Sequence, residues 1–367
     1  MKFSLMHTVV FVFALLVALP VFQACFGGSS GDDGTDGDAD SSDNSGDEDE
    51  DLELSGEDLE DIKNTEETED DAETGGESAD EEGEAVPEKF RVAFLADPHI
   101  IDDYYEGPES NELDTQTMFD TYDNLIHARD HINSLEPPID SVYIAGDIVH
   151  NYPSTEWDFY FENRTRFDIA AEILDGFEMP VYILPGNHDY DIGNIPREFT
   201  QNLFREKFGL EKTYYEIERY GFKFIMLDNF LGSTGDAESP DSKGELGSLG
   251  EEQLMWLKER LAEGKPSFVM NHNPLLVMKL DDVGDEGLKS VLEDNLDVLQ
   301  LSLAGHTHIW MDWEQIYGMP HIVLGSTRYD HDNYMIVEID TVNQNFTILN
   351  KDKLGWGTRN AEPWDGE

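Results

Sequence analysis

The chain has 367 residues, of which 81 are acidic and 23 basic, and a net charge of −58 at neutral pH. Such a negative chain repels phosphate backbones, which argues against nucleic acid as a partner. Its one cysteine, Cys25, excludes a disulfide bond within the chain.

The chain opens with an apolar run at residues 8–19, which Pro20 ends. The run is short for a bilayer span and favours the apolar core of a secretory signal over residues 1–25. The stretch Phe22-Gln23-Ala24-Cys25 resembles the lipobox of bacterial lipoproteins, which implies lipidation of Cys25. We therefore expect an exported lipoprotein of the bacterial cell envelope, tethered to the membrane. The alternatives are a free cysteine in a discarded signal peptide and an uncleaved anchor.

Residues 26–88 are rich in Gly, Ser, Asp, Glu and Thr. They offer too little apolar surface to offset chain entropy, so we expect a disordered acidic tether. A cation-binding tail is the weaker alternative because nothing repeats at a metal-loop spacing. The folded domain is predicted at residues 89–354, followed by a loose C-terminal tail at 355–367.

Strand and helix patterns alternate from residue 90 onward, which predicts parallel βαβ units. Helical spacing favours a helix over residues 119–135, with Phe119, Tyr122, Ile126 and Ile132 on or near one face, and another over residues 156–174. A capping box at Ser248 predicts the start of a further helix. Predicted strands are 90–96, 141–145, 181–184, 214–217, 222–227, 267–270, 299–304, 309–317, 322–324, 334–339 and 346–349, with a helical region at 287–294.

Side chains that bind metals follow five of these strands directly. They are Asp97, His99, Asp147, Asn187, His272, His306 and His308. Oxygen and imidazole ligands without a thiolate suit Mn, Fe or Zn. Seven ligands are too many for one ion, but a carboxylate that bridges two ions accounts for all of them. By contrast, His127 and His131 have helical spacing without a third ligand, and we expect them at a helix surface.

The motifs Asp-x-His, Gly-Asp, Gly-Asn-His-Asp, a lone His and Gly-His-x-His occur in this order between Asp97 and His308. In this order and composition they resemble the calcineurin-like metallophosphoesterases. The resemblance implies an α/β fold, a four-layer αββα sandwich with two mixed β-sheets. It further implies two metal sites, one formed by Asp97, His99, Asp147 and His308 and the other by Asp147, Asn187, His272 and His306.

The resemblance also implies hydrolysis of phosphomonoesters or phosphodiesters by a hydroxide that bridges two metal ions. His188 is then the proton donor to the leaving group. Many members of the family orient this histidine with a carboxylate or amide three residues after the bridging aspartate, where this chain has His150. His150, Asp189 and the backbone are therefore the candidates for holding His188.

The substrate is predicted to be a small phosphate ester, selected by loops at residues 100–112 and 230–245. Residues 244–257 resemble a stretch common in the phosphodiesterase-like branch of the family. A nuclease with the same site and a noncatalytic surface binding protein with the same fold are the alternatives.

Overall fold

The computed structural model describes residues 86–109, 111–235, 246–278, 287–357, 359 and 361–366. The predicted signal peptide, Cys25 and the acidic tether lie outside these residues, so their boundaries stay predictions. No helix within the described ranges is long and apolar enough to cross a membrane.

The strands of the described residues form two sheets. In chain order they are β1 (Lys89–Leu95), β2 (Ile139–Ala145), β3 (Val181–Leu184), β4 (Tyr215–Arg219), β5 (Phe222–Met226), β6 (Ser267–Met270), β7 (Leu299–Ala304), β8 (Met311–Ile316), β9 (Met319–Val323), β10 (Met335–Asp340) and β11 (Asn345–Ile348). The first sheet has the order β11-β10-β1-β2-β3 and the second β4-β5-β6-β7-β9-β8.

Both sheets are mixed. Strands β1, β2 and β3 run parallel, while β10 pairs antiparallel with β1. In the second sheet, β5, β6, β7 and β9 are parallel, and β4 and β8 pair antiparallel at the two edges. The four strands predicted at residues 309–349 are thus divided between the sheets, two in each.

Helices cover the outer faces of the sheets. They are α1 (Glu112–Met118), α2 (Thr121–Ser134), α3 (Phe159–Glu162), α4 (Arg166–Leu174), α5 (Asn187–Tyr190), α6 (Arg197–Phe208), α7 (Glu251–Leu261) and α8 (Leu288–Glu293). Helices α2, α4 and α6 pack on the first sheet, and α7 and α8 on the second.

Aromatic side chains fill the layer between the sheets. The Tyr143 ring of the first sheet stacks on Phe224 of the second, with ring centroids 4.5 Å apart. Phe224 stacks in turn on Phe268 at 5.2 Å. Two sheets packed on each other, with helices outside both, confirm the four-layer αββα sandwich.

The buried face of α2 differs from the prediction. Ile132 is fully buried as predicted, but Phe119 is 68% exposed and Tyr122 47% exposed, and Leu125 and Ala128 are fully buried beside Ile132. The helix begins at Thr121 because the preceding helix α1 ends at Met118 and the chain turns between them. The buried face of the helix therefore consists of Thr121, Leu125, Ala128 and Ile132.

Two predicted helix starts were also wrong. The stretch 156–174 is split into α3 and α4, because Thr165 and Asp168 form a capping box that opens a new helix. Ser248 does not cap α7, whose N-cap is Gly250. The Ser248 hydroxyl instead accepts the main-chain N–H of Thr234 at 3.0 Å.

The C-terminal residues are not the loose tail expected from the sequence. Trp364 is only 3% exposed and packs into the core between the first sheet and its helices. Leu354 pairs with Ala361, and Trp310 with Gly357, in isolated β-bridges. The folded unit therefore extends beyond the predicted boundary at residue 354.

Candidate metal centre

The seven predicted metal ligands come together at one edge of the sandwich. Strands β1, β2 and β3 of the first sheet end just before Asp97, Asp147 and Asn187. Strands β6 and β7 of the second sheet end just before His272 and His306. Within each sheet, parallel strands place their carboxyl ends at one edge. The two edges meet here, since His99 Nε2 lies 2.9 Å from His308 Nε2 and Asn187 Oδ1 lies 2.8 Å from His272 Nε2. We call the seven residues the ligand cluster.

One part of the ligand cluster consists of Asp97, His99, Asp147 and His308. One donor atom from each of these four buried side chains lies within 4.8 Å of the others. The Nε2 atoms of His99 and His308 are 2.9 Å apart, and His308 Nε2 is 3.7 Å from Asp97 Oδ1. These are the four residues that the family resemblance assigned to one metal.

The other part forms around Asn187. Its Oδ1 atom lies 2.8 Å from His272 Nε2 and 2.8 Å from His306 Nδ1. Asp147 connects the two parts, because its Oδ2 atom is 3.3 Å from His272 Nε2 and 3.4 Å from His99 Nε2. A single carboxylate oxygen is thus shared between both groups of ligands.

The backbone of the ligand cluster is strained. Five of its residues have positive φ although none is glycine: Asp97 (53°), His99 (50°), Asp147 (51°), His306 (71°) and His308 (58°). This conformation is uncommon for residues with a Cβ and persists where surrounding contacts fix it, often at functional sites. The main-chain N–H of His99, for example, donates to the carbonyl of Asp147 at 2.8 Å.

The glycines of the motifs allow the loops to approach each other. A Cβ atom on Gly186 would overlap the carboxylate and main-chain nitrogen of Asp147. Gly146 has a φ of 83°, and a Cβ there would lie 2.5 Å from His272 Nδ1. A side chain at either position would therefore force the ligand loops apart.

The electrostatics of the ligand cluster suit a cation. Burial lowers the pKa of His99 and His308 well below the usual value and that of His306 to about 3, which leaves neutral rings with a free lone pair. Burial also opposes a charge on His272, but the Asp147 carboxylate raises its pKa to about 9. To hold a cation, His272 would have to give up a proton, because a metal ligand must be deprotonated. Nitrogen and oxygen donors without sulfur fit Mn, Fe or Zn.

His188 lies beside the ligand cluster and is held by a residue that the sequence did not indicate. Its Nδ1 atom is 2.7 Å from Asn151 Oδ1, and its ring stacks on His150 at 4.7 Å. The main-chain N–H of His188 donates to Asp147 Oδ1 at 2.8 Å. Desolvation lowers the pKa of the His188 ring to about 4.

Asp189 holds the loops rather than the His188 ring. Its carboxylate accepts the main-chain N–H groups of Ile148 at 3.0 Å, Val149 at 2.9 Å and Gly186 at 2.8 Å. These bonds tie the loop after β2 to the loop after β3. Asn151 therefore takes the contact with the ring that was expected of His150 or Asp189.

Residues 90–310 match the family model of the calcineurin-like phosphoesterases. The chain belongs to this family. Among solved structures, a dimetal phosphatase from Danio rerio superposes with a TM-score of 0.52 at 17% identity, over 71% of this chain and 98% of that one. This likeness shows the shared calcineurin-like fold.

Curated relatives in the family are more similar in sequence. The probable glycerophosphodiester phosphodiesterase GpdQ of Arcobacter nitrofigilis is 30% identical over 189 residues, which are 48% of this chain and 60% of that protein. The serine/threonine-protein phosphatase CPPED1 of Rattus norvegicus is 26% identical over 161 residues, 42% of this chain and 46% of that protein. The chain thus spans about half the length of the curated relatives it matches.

In this member of the calcineurin-like family, His150 contacts His99 on one side and a loop carboxylate on the other. Its Nδ1 atom is 3.2 Å from His99 Nδ1, and its Nε2 atom is 3.2 Å from Glu109 Oε1. Glu109 belongs to the loop at residues 100–112 that was predicted to lie over the metals. Residues 236–245 of the second predicted loop lie outside the described part of the chain.

Two buried arginines near the site were also missed. Arg166 forms an ion pair with Asp102 at 2.7 Å and donates to the main-chain oxygen of His150. Arg328 donates to Thr117 Oγ1 at 3.1 Å, and its main-chain N–H donates to the carbonyl of Asp97 at 3.4 Å. Nothing in the sequence around either arginine distinguishes it from a surface residue.

The histidine pair on α2 lies outside the ligand cluster. The His127 ring packs edge-on against His331 with centroids 5.4 Å apart. His131 Nδ1 lies 2.5 Å from the hydroxyl oxygen of Tyr334. These contacts agree with the expectation that the pair is not part of the metal centre.

Proposed function

We propose that the chain is a metal-dependent phosphoesterase that hydrolyses phosphomonoesters or phosphodiesters. The observation that carries the proposal is the shared Asp147 Oδ2 atom, 3.3 Å from His272 and 3.4 Å from His99. One carboxylate between two groups of ligands is the arrangement that a pair of metal ions requires. The family includes both phosphodiesterases and phosphatases, which supports both ester classes.

The ligand cluster holds two divalent or trivalent cations in this proposal. Asp97, His99, Asp147 and His308 bind one; Asp147, Asn187, His272 and His306 bind the other. When bound, the cations supply a water nucleophile at neutral pH and neutralise charge on the phosphoryl oxygens. The buried carboxylates of the ligand cluster balance the positive charge of the two cations on which this chemistry depends.

His188 acts on the leaving group. Asn151 Oδ1 accepts a hydrogen bond from Nδ1 of His188 at 2.7 Å, which leaves Nε2 as the nitrogen available to the leaving group. A phosphate anion beside the ring favours its protonated form and opposes the desolvation that lowers its pKa. The Nε2 proton then passes to the departing oxygen, as in general acid catalysis.

The test uses nitrophenyl phosphate as a monoester and bis(nitrophenyl) phosphate as a diester. We expect turnover of at least one after addition of Mn²⁺, Zn²⁺ or Fe²⁺ to the full chain. A chelator and the Asn187→Ala substitution should each abolish it, because Asn187 contacts two histidine ligands. Absence of turnover with every metal would contradict the proposal.

The chain acts at the bacterial cell envelope in this proposal, anchored through a lipid on Cys25 and extended from the membrane by the acidic tether. Support comes from the apolar run at residues 8–19, the lipobox-like stretch and the composition of residues 26–88. Membrane fractionation of the Cys25→Ser variant tests this. Release of the variant into the soluble fraction is expected, and an unchanged membrane fraction would argue against the lipid anchor.

A further inference from the structure

A row of hydrogen-bonding groups leads from a surface loop to the ligand His99. The Tyr105 hydroxyl donates to Glu109 Oε1 at 2.6 Å. The same carboxylate oxygen is 3.2 Å from His150 Nε2, and His150 Nδ1 is 3.2 Å from His99 Nδ1. On the far side of its ring, His99 Nε2 faces Asp147 Oδ2 at 3.4 Å.

The contacts determine where the protons lie. An ionised carboxylate can only accept, so the atom of His150 that faces Glu109 carries the proton. A neutral His150 then has a lone pair on Nδ1, and it accepts the proton on Nδ1 of His99. This leaves the Nε2 lone pair of His99 directed at the other ligands. Binding of a cation at that atom requires this one tautomer.

The surroundings of the row agree with these protonation states. The Tyr105 hydroxyl at 2.6 Å and His150 Nε2 at 3.2 Å both face Oε1 of Glu109, and two such donor groups suit an ionised carboxylate. The two ring nitrogens of His99 face different partners, Nδ1 the His150 ring at 3.2 Å and Nε2 the Asp147 carboxylate at 3.4 Å. His150 itself is only 5% exposed, which limits competition from water for its nitrogen atoms.

We propose that Glu109 and His150 are positioning residues that fix the tautomer and orientation of the metal ligand His99. This inference rests on the proposed function, since it assumes that His99 binds a metal. In this proposal His150 orients the metal ligand His99, whereas the neighbouring Asn151 orients His188. Partners of this kind typically change metal affinity 10- to 100-fold.

The test measures metal affinity rather than turnover. Full-length Glu109→Gln and His150→Phe variants are titrated with Zn²⁺ against a competing chelator. The phenyl ring keeps the stacking on His188 but removes the acceptor for His99. We expect one of the two binding events to weaken about 10- to 100-fold, and the double variant to bind no worse than His150→Phe. Glu106→Gln removes the same charge from an exposed position of the same loop and should bind as the wild type does.

The outcomes separate the inference from the proposed function. A wild-type chain that binds no metal would contradict the proposed function. Wild-type binding of two ions with unchanged affinity in both variants would overturn the inference alone. Equal weakening in Glu106→Gln, or additive losses in the double variant, would also overturn it. The metal-free wild type and variants should unfold at similar midpoint temperatures. A variant with a lowered midpoint and weaker binding of both ions would instead have lost part of its folded structure.

Discussion

Replacement of Asp147 with asparagine is expected to abolish phosphoester hydrolysis and to weaken the binding of both metal ions. Asparagine keeps the shape of the side chain, and its oxygen can still accept the main-chain N–H of His188. It lacks the negative charge that a carboxylate shared between two cations supplies. Loss of turnover on the order of 10³-fold or more is expected, since charge stabilisation is commonly the largest catalytic contribution.

The measurement combines kcat/KM on a nitrophenyl ester with metal analysis of the same sample. Asp103→Asn is the matched control, because it removes one carboxylate from an exposed position near the site. The control should retain both metals and nearly full activity. If Asp147→Asn kept two tightly bound ions, Asp147 would not be the shared ligand.

The sequence was sufficient to find the ligand cluster because each ligand directly follows an apolar run. Parallel strands bring their carboxyl ends to one edge, so residues separated by more than 200 positions, such as Asp97 and His308, could be grouped without coordinates. The two glycines before Asp147 and Asn187 could be recognised as parts of motifs. Only the structure shows why these positions need glycine, which is that one ligand loop approaches the next too closely for a Cβ atom.

The residues around the ligands could not be predicted in the same way. The family resemblance left His150, Asp189 and the backbone as candidates for orienting His188, yet the Asn151 side chain makes that contact. Asn151 has a φ of 55°, and this turn of the backbone cannot be read from residue spacing. Glu109 comes from a loop that contacts α1, where the main-chain N–H of Glu109 donates to Thr115 Oγ1 at 2.9 Å. Its contact with His150 joins positions that no local pattern connects.

The C-terminal segment shows the same limit for the fold. Its polar and glycine-rich composition predicted a loose tail, whereas a single tryptophan, Trp364, anchors it in the core. One large apolar side chain can bury enough surface to order a segment that has no periodicity. Patterns of hydrophobicity detect strands and helices but not such isolated contacts.

His188→Ala is expected to slow hydrolysis by a factor that depends on the leaving group. With an alkyl phosphate, whose leaving oxygen needs a proton, loss of a general acid should cost about 10²- to 10⁴-fold in kcat. With a nitrophenyl ester, whose leaving group departs as a stable anion, the loss should be much smaller. Both metals should remain bound, because alanine keeps the main-chain N–H that donates to Asp147.

The comparison of the two esters distinguishes proton donation from other roles of His188. Asn151→Ala is the companion variant, since it leaves the ring in place but removes the acceptor 2.7 Å from Nδ1. A single hydrogen bond contributes about 1 kcal/mol, so this variant should lose roughly fivefold in kcat, again mainly with the alkyl ester. An equal loss with both esters in His188→Ala would indicate that the ring binds the phosphoryl group. Loss of a metal ion from His188→Ala would indicate that His188 is a metal ligand. His188 is identified as the proton donor only if the loss in kcat is larger for the ester with the more basic leaving oxygen.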